Sequence, residues 1–300
     1  MQPPLRNLIA ATDFSPGAQA AVQRAAIQAA ELKAELALVH VFERDSLAVL
    51  RDLIEPGRDL QPAMVEQARM QLEALANATA AGFGLRPRTL LRQGAAVEEL
   101  RIAADAADLL VIGACGGHPV REFTFGKTAD RLARLAARPL LVVRRKPELG
   151  YERVLVPVDF SENSRQALLA AMALAPRASF QLLHCIDLPF EGRMRMAGAT
   201  DAEIAQFRVR ARLHAAGQLR ALVDDLRGDA RITAAIVRIG DVRFELTRLA
   251  QQERIDLIAI GKQGQSLLGQ TLLGSVTAWT LEQAPCDVLV VPAAAVASRP

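Results

Sequence analysis

Aromatic residues are scarce in this chain. They make up 4% of its 300 residues, with a single tryptophan and a single tyrosine. Little is left for stacking on exposed bases, and no basic run is interleaved with aromatics, so a nucleic-acid partner is not expected. Cysteine is scarcer still. Cys115, Cys185 and Cys286 are odd in number, far apart and in no CxxC pair, which argues against a disulfide framework or a zinc site. Long apolar runs are missing too. Segments such as Leu109–Ile112 fall far short of the roughly 18 residues that a membrane span needs. Met1–Ala11 lacks the apolar stretch of a secretion signal. The expectation is a cytoplasmic protein without membrane contact. No charge of one sign dominates either: 36 Lys+Arg against 33 Asp+Glu leave +3, which selects no particular partner.

What is abundant is small and aliphatic. Hydrophobic residues make up 51% of the chain, chiefly alanine and leucine, which suits helices packed on a sheet. At roughly 100–200 residues per domain the length accommodates about two domains. The sequence also repeats itself. An apolar run ending in Asp13-Phe14-Ser15 returns, about 146 residues later, as a run ending in Asp159-Phe160-Ser161. Leu38-Val39-His40-Val41 returns as Leu182-Leu183-His184-Cys185, and Gly94 with Glu99-Leu100 as Gly240 with Glu245-Leu246. Asp108–Gly113 returns as Asp256–Gly261, and Leu141-Val142-Val143 as Leu289-Val290-Val291. The order is kept throughout, so one domain is written twice, over 1–146 and 150–297, joined by a short linker near Lys146–Gly150.

Within the first copy the apolar runs predict strands over 6–12, 35–43, 86–92, 108–113 and 140–144. Alanine-rich helical stretches such as Ala18–Leu32 and Val97–Ala107 lie between them. Strands alternating with helices imply right-handed crossovers. The fold class is therefore α/β: two tandem open five-stranded parallel sheets with helices on both faces. Ser15-Pro16 reads as an N-cap with proline in the first turn, and Ser161 as the same cap. Each Asp-Phe-Ser thus stands at the carboxyl edge of its sheet, where ligands of open α/β sheets bind.

A second pattern follows the fourth strand of each copy. In copy two it runs Gly261-Lys-Gln-Gly264, nine residues, then Gly274-Ser275 ahead of the helical run Val276–Gln283. Glycines there permit positive φ and close approach of an anion. A helix opening at Gly-Ser offers free N–H groups and its positive end to a phosphate. Taken alone, such a loop is equally well a surface turn. Copy one reads Gly113-Ala-Cys-Gly116, nine residues, then Gly126-Lys127-Thr128. Lysine here attracts phosphate as a point charge, fills the pocket, or bridges to a neighbouring carboxylate. The connector 117–125, with His118, Arg121 and Glu122, also departs from the apolar texture of 265–273. Gly126-Lys127-Thr128 is not the end of a P-loop, because residue 121 is arginine where that motif needs glycine. Asp-Phe-Ser after the first strand is likewise no dinucleotide fingerprint.

Gly-x2-Gly-x9-Gly-Ser together with Asp159-Phe160-Ser161 resembles the ATP-binding type of the universal stress protein A family, over nearly all of both halves. The resemblance implies the adenine-nucleotide α-hydrolase-like fold of that family, a five-stranded parallel sheet flanked by helices. It implies an ATP site in copy two formed by Pro157, Val158, Asp159, Cys185, Ile260, Gly261, Gln263, Gly264, Gly274, Ser275, Val276 and Thr277. The aspartate would lie by ribose and adenine, the backbone at Cys185 by the base, and the glycine loop by the phosphates, with Mg2+ able to accompany them. Asp13, Val41, Gly113, Gly116, Gly126 and Lys127 are the corresponding positions of copy one.

The resemblance also implies a regulatory role in stress adaptation through a protein partner that the sequence does not name. A slow ATPase or nucleotide-dependent enzyme, and a small-ligand binder acting through copy one, are the alternatives. Family domains commonly pair through their last strand. Leu140–Val143 and Val288–Val291 are therefore expected to form an internal pseudo-dimer, and a homodimer of the whole chain stays open.

His40 and His184 are read as backbone-bonded strand-end residues and His214 as solvated. Arg208, Arg210 and Arg212 are read as a solvated helix face. Cys115 is read as a small loop residue and Cys286 as structural.

Overall fold

The structure is a computed structural model, and it describes residues 4–43, 61–116, 125–187, 191–264 and 273–293. The chain divides into two compact units, Met1–Gly150 and Tyr151–Pro300. In unit 1 the elements are β1 (Asn7–Ala11), α1 (Pro16–Leu32), β2 (Glu35–Phe42), α2 (Gln61–Phe83), β3 (Arg88–Gln93), α3 (Ala96–Asp105), β4 (Leu109–Gly113), α4 (Lys127–Leu135) and β5 (Leu140–Val143). In unit 2 they are β6 (Arg153–Pro157), α5 (Glu162–Leu174), β7 (Ser179–Ile186), α6 (Glu191–Met196), α7 (Asp201–Asp225), β8 (Ile232–Ile239), α8 (Val242–Gln252), β9 (Leu257–Gly261), α9 (Ser275–Gln283) and β10 (Asp287–Val291).

The strand order within unit 1 is β3-β2-β1-β4-β5, and within unit 2 it is β8-β7-β6-β9-β10. The strand pairs within each unit are parallel. Central strands are apolar throughout their length: Leu109–Ile112 and Leu257–Ile260 are all buried. This is how strands covered on both faces read. The outer strands β3 and β8 are only half-buried and carry Arg88, Arg92 and Arg238, charges that discourage further pairing at a sheet edge.

The right-handed crossover rule puts α1 and α2 on one face of unit 1 and α3 and α4 on the other, because the chain reverses direction across the sheet after β3. Packing of α1 on α2 and of α3 on α4 agrees. That reversal opens a crevice between the carboxyl ends of β1 and β4, and its counterpart in unit 2 lies between β6 and β9. At the opposite edge a repeated aspartate ties the strands together. Asp108 accepts from the N–H groups of Arg6 and Asn7 at 2.8 and 2.9 Å, and Asp256 from those of Glu152 and Arg153 at 2.9 Å each. Among the described residues no helix is long and apolar enough to cross a membrane.

Candidate functional site

The turn after the first strand of each unit is built the same way. Ser15 caps α1 by accepting from Ala18 N–H at 3.2 Å, with Pro16 in the first turn, and Ser161 caps α5 by accepting from Ser164 N–H at 3.2 Å. To enter the cap, Phe14 and Phe160 adopt left-handed backbone, φ 64° and 63°. That conformation is unfavourable by roughly 1–2 kcal/mol for a residue with a β-carbon, and surrounding contacts over-determine it. Asp13 Oδ1 accepts from Ser15 N–H and Asp159 Oδ1 from Ser161 N–H, each at 3.0 Å. The Phe14 ring lies 4.5 Å from that of His40, and Phe160 4.4 Å from His184. Each histidine in turn places Nδ1 2.7 Å from a carbonyl oxygen, that of Thr12 or Val158. A carbonyl only accepts, so Nδ1 carries the hydrogen. The two histidines are the backbone-bonded residues that the sequence suggests.

With one carboxylate oxygen fixed by its own turn, the other faces the glycine loop. A β-carbon on Gly116 would stand 2.9 Å from Asp13 Oδ2, and one on Gly264 2.9 Å from Asp159 Oδ2. The loop itself is closed by backbone bonds. Ala114 N–H donates to Val143 and Lys262 N–H to Val291, at 2.8 and 2.7 Å. Gly126 N–H donates to Ala114 and Gly274 N–H to Lys262, at 2.8 and 2.9 Å. Asp159, Gly261, Gln263, Gly264, Gly274 and Ser275 are thereby gathered at one crevice of unit 2. Asp13, Gly113, Gly116, Gly126 and Lys127 are gathered at that of unit 1.

Positive φ is not what these glycines supply. Gly113, Gly116, Gly126, Gly261, Gly264 and Gly274 all lie outside the left-handed region, with Gly126 at φ −70° and Gly274 at φ −61°. Their contribution is the missing side chain. A β-carbon on Gly113 would come within 2.7 Å of the Gly17 backbone, and one on Gly261 within 3.1–3.2 Å of Asn163. Gly274 is looser, with neighbours at 3.4–3.6 Å. There the glycine leaves the start of α9 open: it offers no side-chain cap, and Ser275 is exposed. In unit 1, Gly126 offers no cap either, and Lys127 is exposed at the first position of α4.

Other predicted residues have more specific places. Pro157, Val158 and Ile260 are buried, so their side chains belong to the core. Val276 is half-buried. Thr277 is turned inward: its hydroxyl donates to Gly261 O at 2.8 Å and ties α9 to β9. Cys185 is half-buried at the end of β7, opposite Arg238 of β8, and Val41 holds its place in unit 1. Burial, then the Glu245 and Asp241 carboxylates, push the Cys185 thiol up to about 12, against the opposing pull of Arg238. At neutral pH it is an inert thiol. Cys286 is buried, and His214, Arg208, Arg210 and Arg212 are exposed on α7. His118, Arg121, Glu122 and the connector 265–272 lie outside the described residues.

Two residues escaped the sequence reading. Lys262, inside the loop motif, is buried rather than presented to solvent, and burial holds its ammonium below the usual lysine range. Asn163, in the first turn of α5, donates from Nδ2 to Gln263 O at 3.1 Å. The signal for it was a polar residue in the repeated turn, Asn163 where copy one has Gly17, flanked by Glu162 for Pro16 and Ser164 for Ala18.

The model of the universal stress protein family matches residues 4–144 and again 150–292. The chain belongs to the universal stress protein family. A general stress-related role goes with that membership, and the chain carries the family unit twice. The universal stress protein Sll1388 of Synechocystis is 25% identical over 152 residues, which are 48% of this chain and 99% of that protein. The universal stress protein MJ0577 of Methanocaldococcus jannaschii is 28% identical over 153 residues, 47% of this chain and 94% of that one. The crystal structure of a universal stress protein from Archaeoglobus fulgidus covers 95% of this chain and 98% of its own, with a TM-score of 0.68 at 16% identity. That likeness speaks for the universal stress protein fold.

Proposed function

We propose that unit 2 binds ATP and that its occupancy regulates a protein partner. The observation that carries this reading is the joint placement of Asp159, Gly264 and the uncapped start of α9 around one switch-point crevice. The crevice is of the kind that takes ligands in open α/β sheets. Its parts divide by chemistry. Asp159, held by the N–H and hydroxyl of Ser161 at 3.0 and 2.5 Å, offers its outer oxygen to the hydroxyls of a ribose. Bare glycine backbone lines the loop side of the crevice: a side chain on Gly264 would stand against Asp159 and one on Gly261 against Asn163. The α9 N-terminus, with exposed Ser275, presents N–H donors to phosphate oxygens. Mg2+ would travel with the phosphates.

Asp159 already accepts two hydrogen bonds on Oδ1, which suits a binding carboxylate better than a proton acceptor. The role proposed is therefore binding and signalling rather than turnover. Calorimetric titration of the full chain with ATP, together with mass analysis of nucleotide released on denaturation, tests the reading. One strong site is expected. Absence of both heat and a co-purifying adenine nucleotide would remove it. Rapid steady-state phosphate release would replace the regulatory role with an enzymatic one.

A further inference from the structure

We infer that Asn163 is the positioning residue of the phosphate loop in unit 2: it holds the Gln263 carbonyl so that the Gly264 N–H is presented to an anion. The inference rests on the ATP reading of that crevice. Two successive carbonyls at the start of the loop are engaged, one by the loop's own closing glycine and one by a side chain from α5. Lys262 O accepts from Gly274 N–H at 2.9 Å, and Gln263 O accepts from Asn163 Nδ2 at 3.1 Å. In a trans peptide the carbonyl and the next N–H point in opposite directions. Anchoring the Gln263 carbonyl therefore turns the Gly264 N–H away from Asn163. A backbone N–H held in a fixed orientation at such a turn is a donor for an anion. Gly264 is exposed and stands against Asp159, so its donor lies where the nucleotide is proposed to bind.

Asn163 reaches the loop from the first turn of α5, whose cap, Ser161, also fixes Asp159. One helix start thus sets both the carboxylate and the loop. Unit 1 keeps the first anchor, Gly126 N–H on Ala114 O at 2.8 Å. Gly17 takes the place of Asn163, and a β-carbon there would fall 2.5 Å from Cys115 O. The backbone of α1 leans directly on the loop, leaving no room for an amide to orient it.

The test separates phosphate recognition from folding. ATP and adenosine are titrated calorimetrically into the full-length wild type, Asn163→Ala and Asn163→Asp, with melting temperatures recorded. Loss of the anchor is expected to weaken ATP about tenfold in Asn163→Ala and further in Asn163→Asp. Adenosine, which has no phosphate, should stay within about twofold of wild type in both. Equal loss of ATP and adenosine would make Asn163 merely structural, and unchanged ATP affinity in both variants would also overturn the inference. Should Asn163→Ala fail to fold, Asn163→Asp, which keeps the side-chain shape and removes the donor, decides the matter alone. A wild type that binds adenosine and ATP equally would refute phosphate recognition here. A wild type that binds neither would remove the ATP reading and this inference with it.

Discussion

The two units share the same scaffold to within about a tenth of an ångström at the turn that carries the aspartate. The histidine-to-carbonyl bonds are 2.7 Å in both, the phenylalanine–histidine separations 4.5 and 4.4 Å, and the glycine-to-carboxylate approach 2.9 Å in both. Among the differences near the crevice are Gly17 against Asn163, Cys115 against Gln263, Val41 against Cys185, and Lys127 against Ser275. The left-handed phenylalanine and the fixed carboxylate thus belong to the shared scaffold and do not tell the copy proposed to bind ATP from its counterpart. The difference must be sought in the loop's second anchor and at the helix start. In unit 1 the backbone of α1 presses on the loop, and in unit 2 a side chain holds it at a distance.

The strongest way to break this comparison uses the matched pair Gly116 and Gly264. A new side chain meets an aspartate oxygen at the same 2.9 Å in both units, and a carboxylate end can move aside, so the structural disturbance is equal. Gly264→Val is expected to lower ATP affinity by at least about 100-fold, or ~2.7 kcal/mol. Gly116→Val should leave it within about threefold of wild type. Calorimetry on both variants decides. A strong site lost with Gly116→Val would move the nucleotide to unit 1.

A smaller effect, on stability, comes from the first loop glycine. A methyl on Gly113 would meet backbone atoms of Gly17 at 2.7 Å, which can give way only by shifting α1. A methyl on Gly261 meets Asn163 at 3.1–3.2 Å, where a few tenths of an ångström suffice. Gly113→Ala should therefore cost about 2–3 kcal/mol and Gly261→Ala about 1 kcal/mol, read from urea denaturation and from hydrogen exchange in β4 and β9. Equal costs would mean that the two loops are packed alike.

These contrasts were only partly legible beforehand. Strands expected at 35–43 and 108–113 are found at Glu35–Phe42 and Leu109–Gly113, because a strand buried on both faces writes a continuous apolar run between turn residues. The edge strand expected at 86–92 is found at Arg88–Gln93, since a half-buried strand with arginines gives a weaker pattern. The caps at Ser15 and Ser161 are local and were readable from side-chain chemistry. The role of the glycines was not, because it depends on which backbone the loop meets. The Thr277–Gly261 and Asn163–Gln263 bonds join residues 16 and 100 apart, and no local spacing announces them.

The caps sharpen the comparison at a lower level. Ser15→Ala and Ser161→Ala each remove one N-cap, so each should cost about 1 kcal/mol of stability. In the unit proposed to bind ATP, Ser161 also donates its hydroxyl to Asp159 Oδ1 at 2.5 Å. Only the Ser161 variant should weaken ATP, by a few-fold, as the carboxylate loses a restraint. A Ser15→Ala chain with the same loss in ATP affinity would show that the halves are coupled through their turns.

The smallest expected difference is confined to alkaline pH and concerns Cys185, where unit 1 has Val41. Its thiol is raised from 9.0 to about 12, by burial first and then by the carboxylates of Glu245 and Asp241. The native protein therefore keeps a proton that the unfolded chain gives up between those values. Because the native state binds more protons there, this contribution is complete below pH 9 and is lost as the pH climbs towards 12. Cys185→Val installs the residue of unit 1, removes the titrating group and should flatten that part of the decline. Tyr151, whose buried hydroxyl donates to Asp287 Oδ2 at 2.8 Å, is untouched by the change, so any alkaline loss left in the variant has another source. Hydrogen exchange in β7 and β2, followed from pH 8.5 to 10.5 in wild type and variant, isolates the component. The wild type should lose protection in β7 more steeply than the variant, while β2 responds alike in both. Identical β7 profiles would show that the thiol gives up its proton as readily in the folded chain as in the unfolded one.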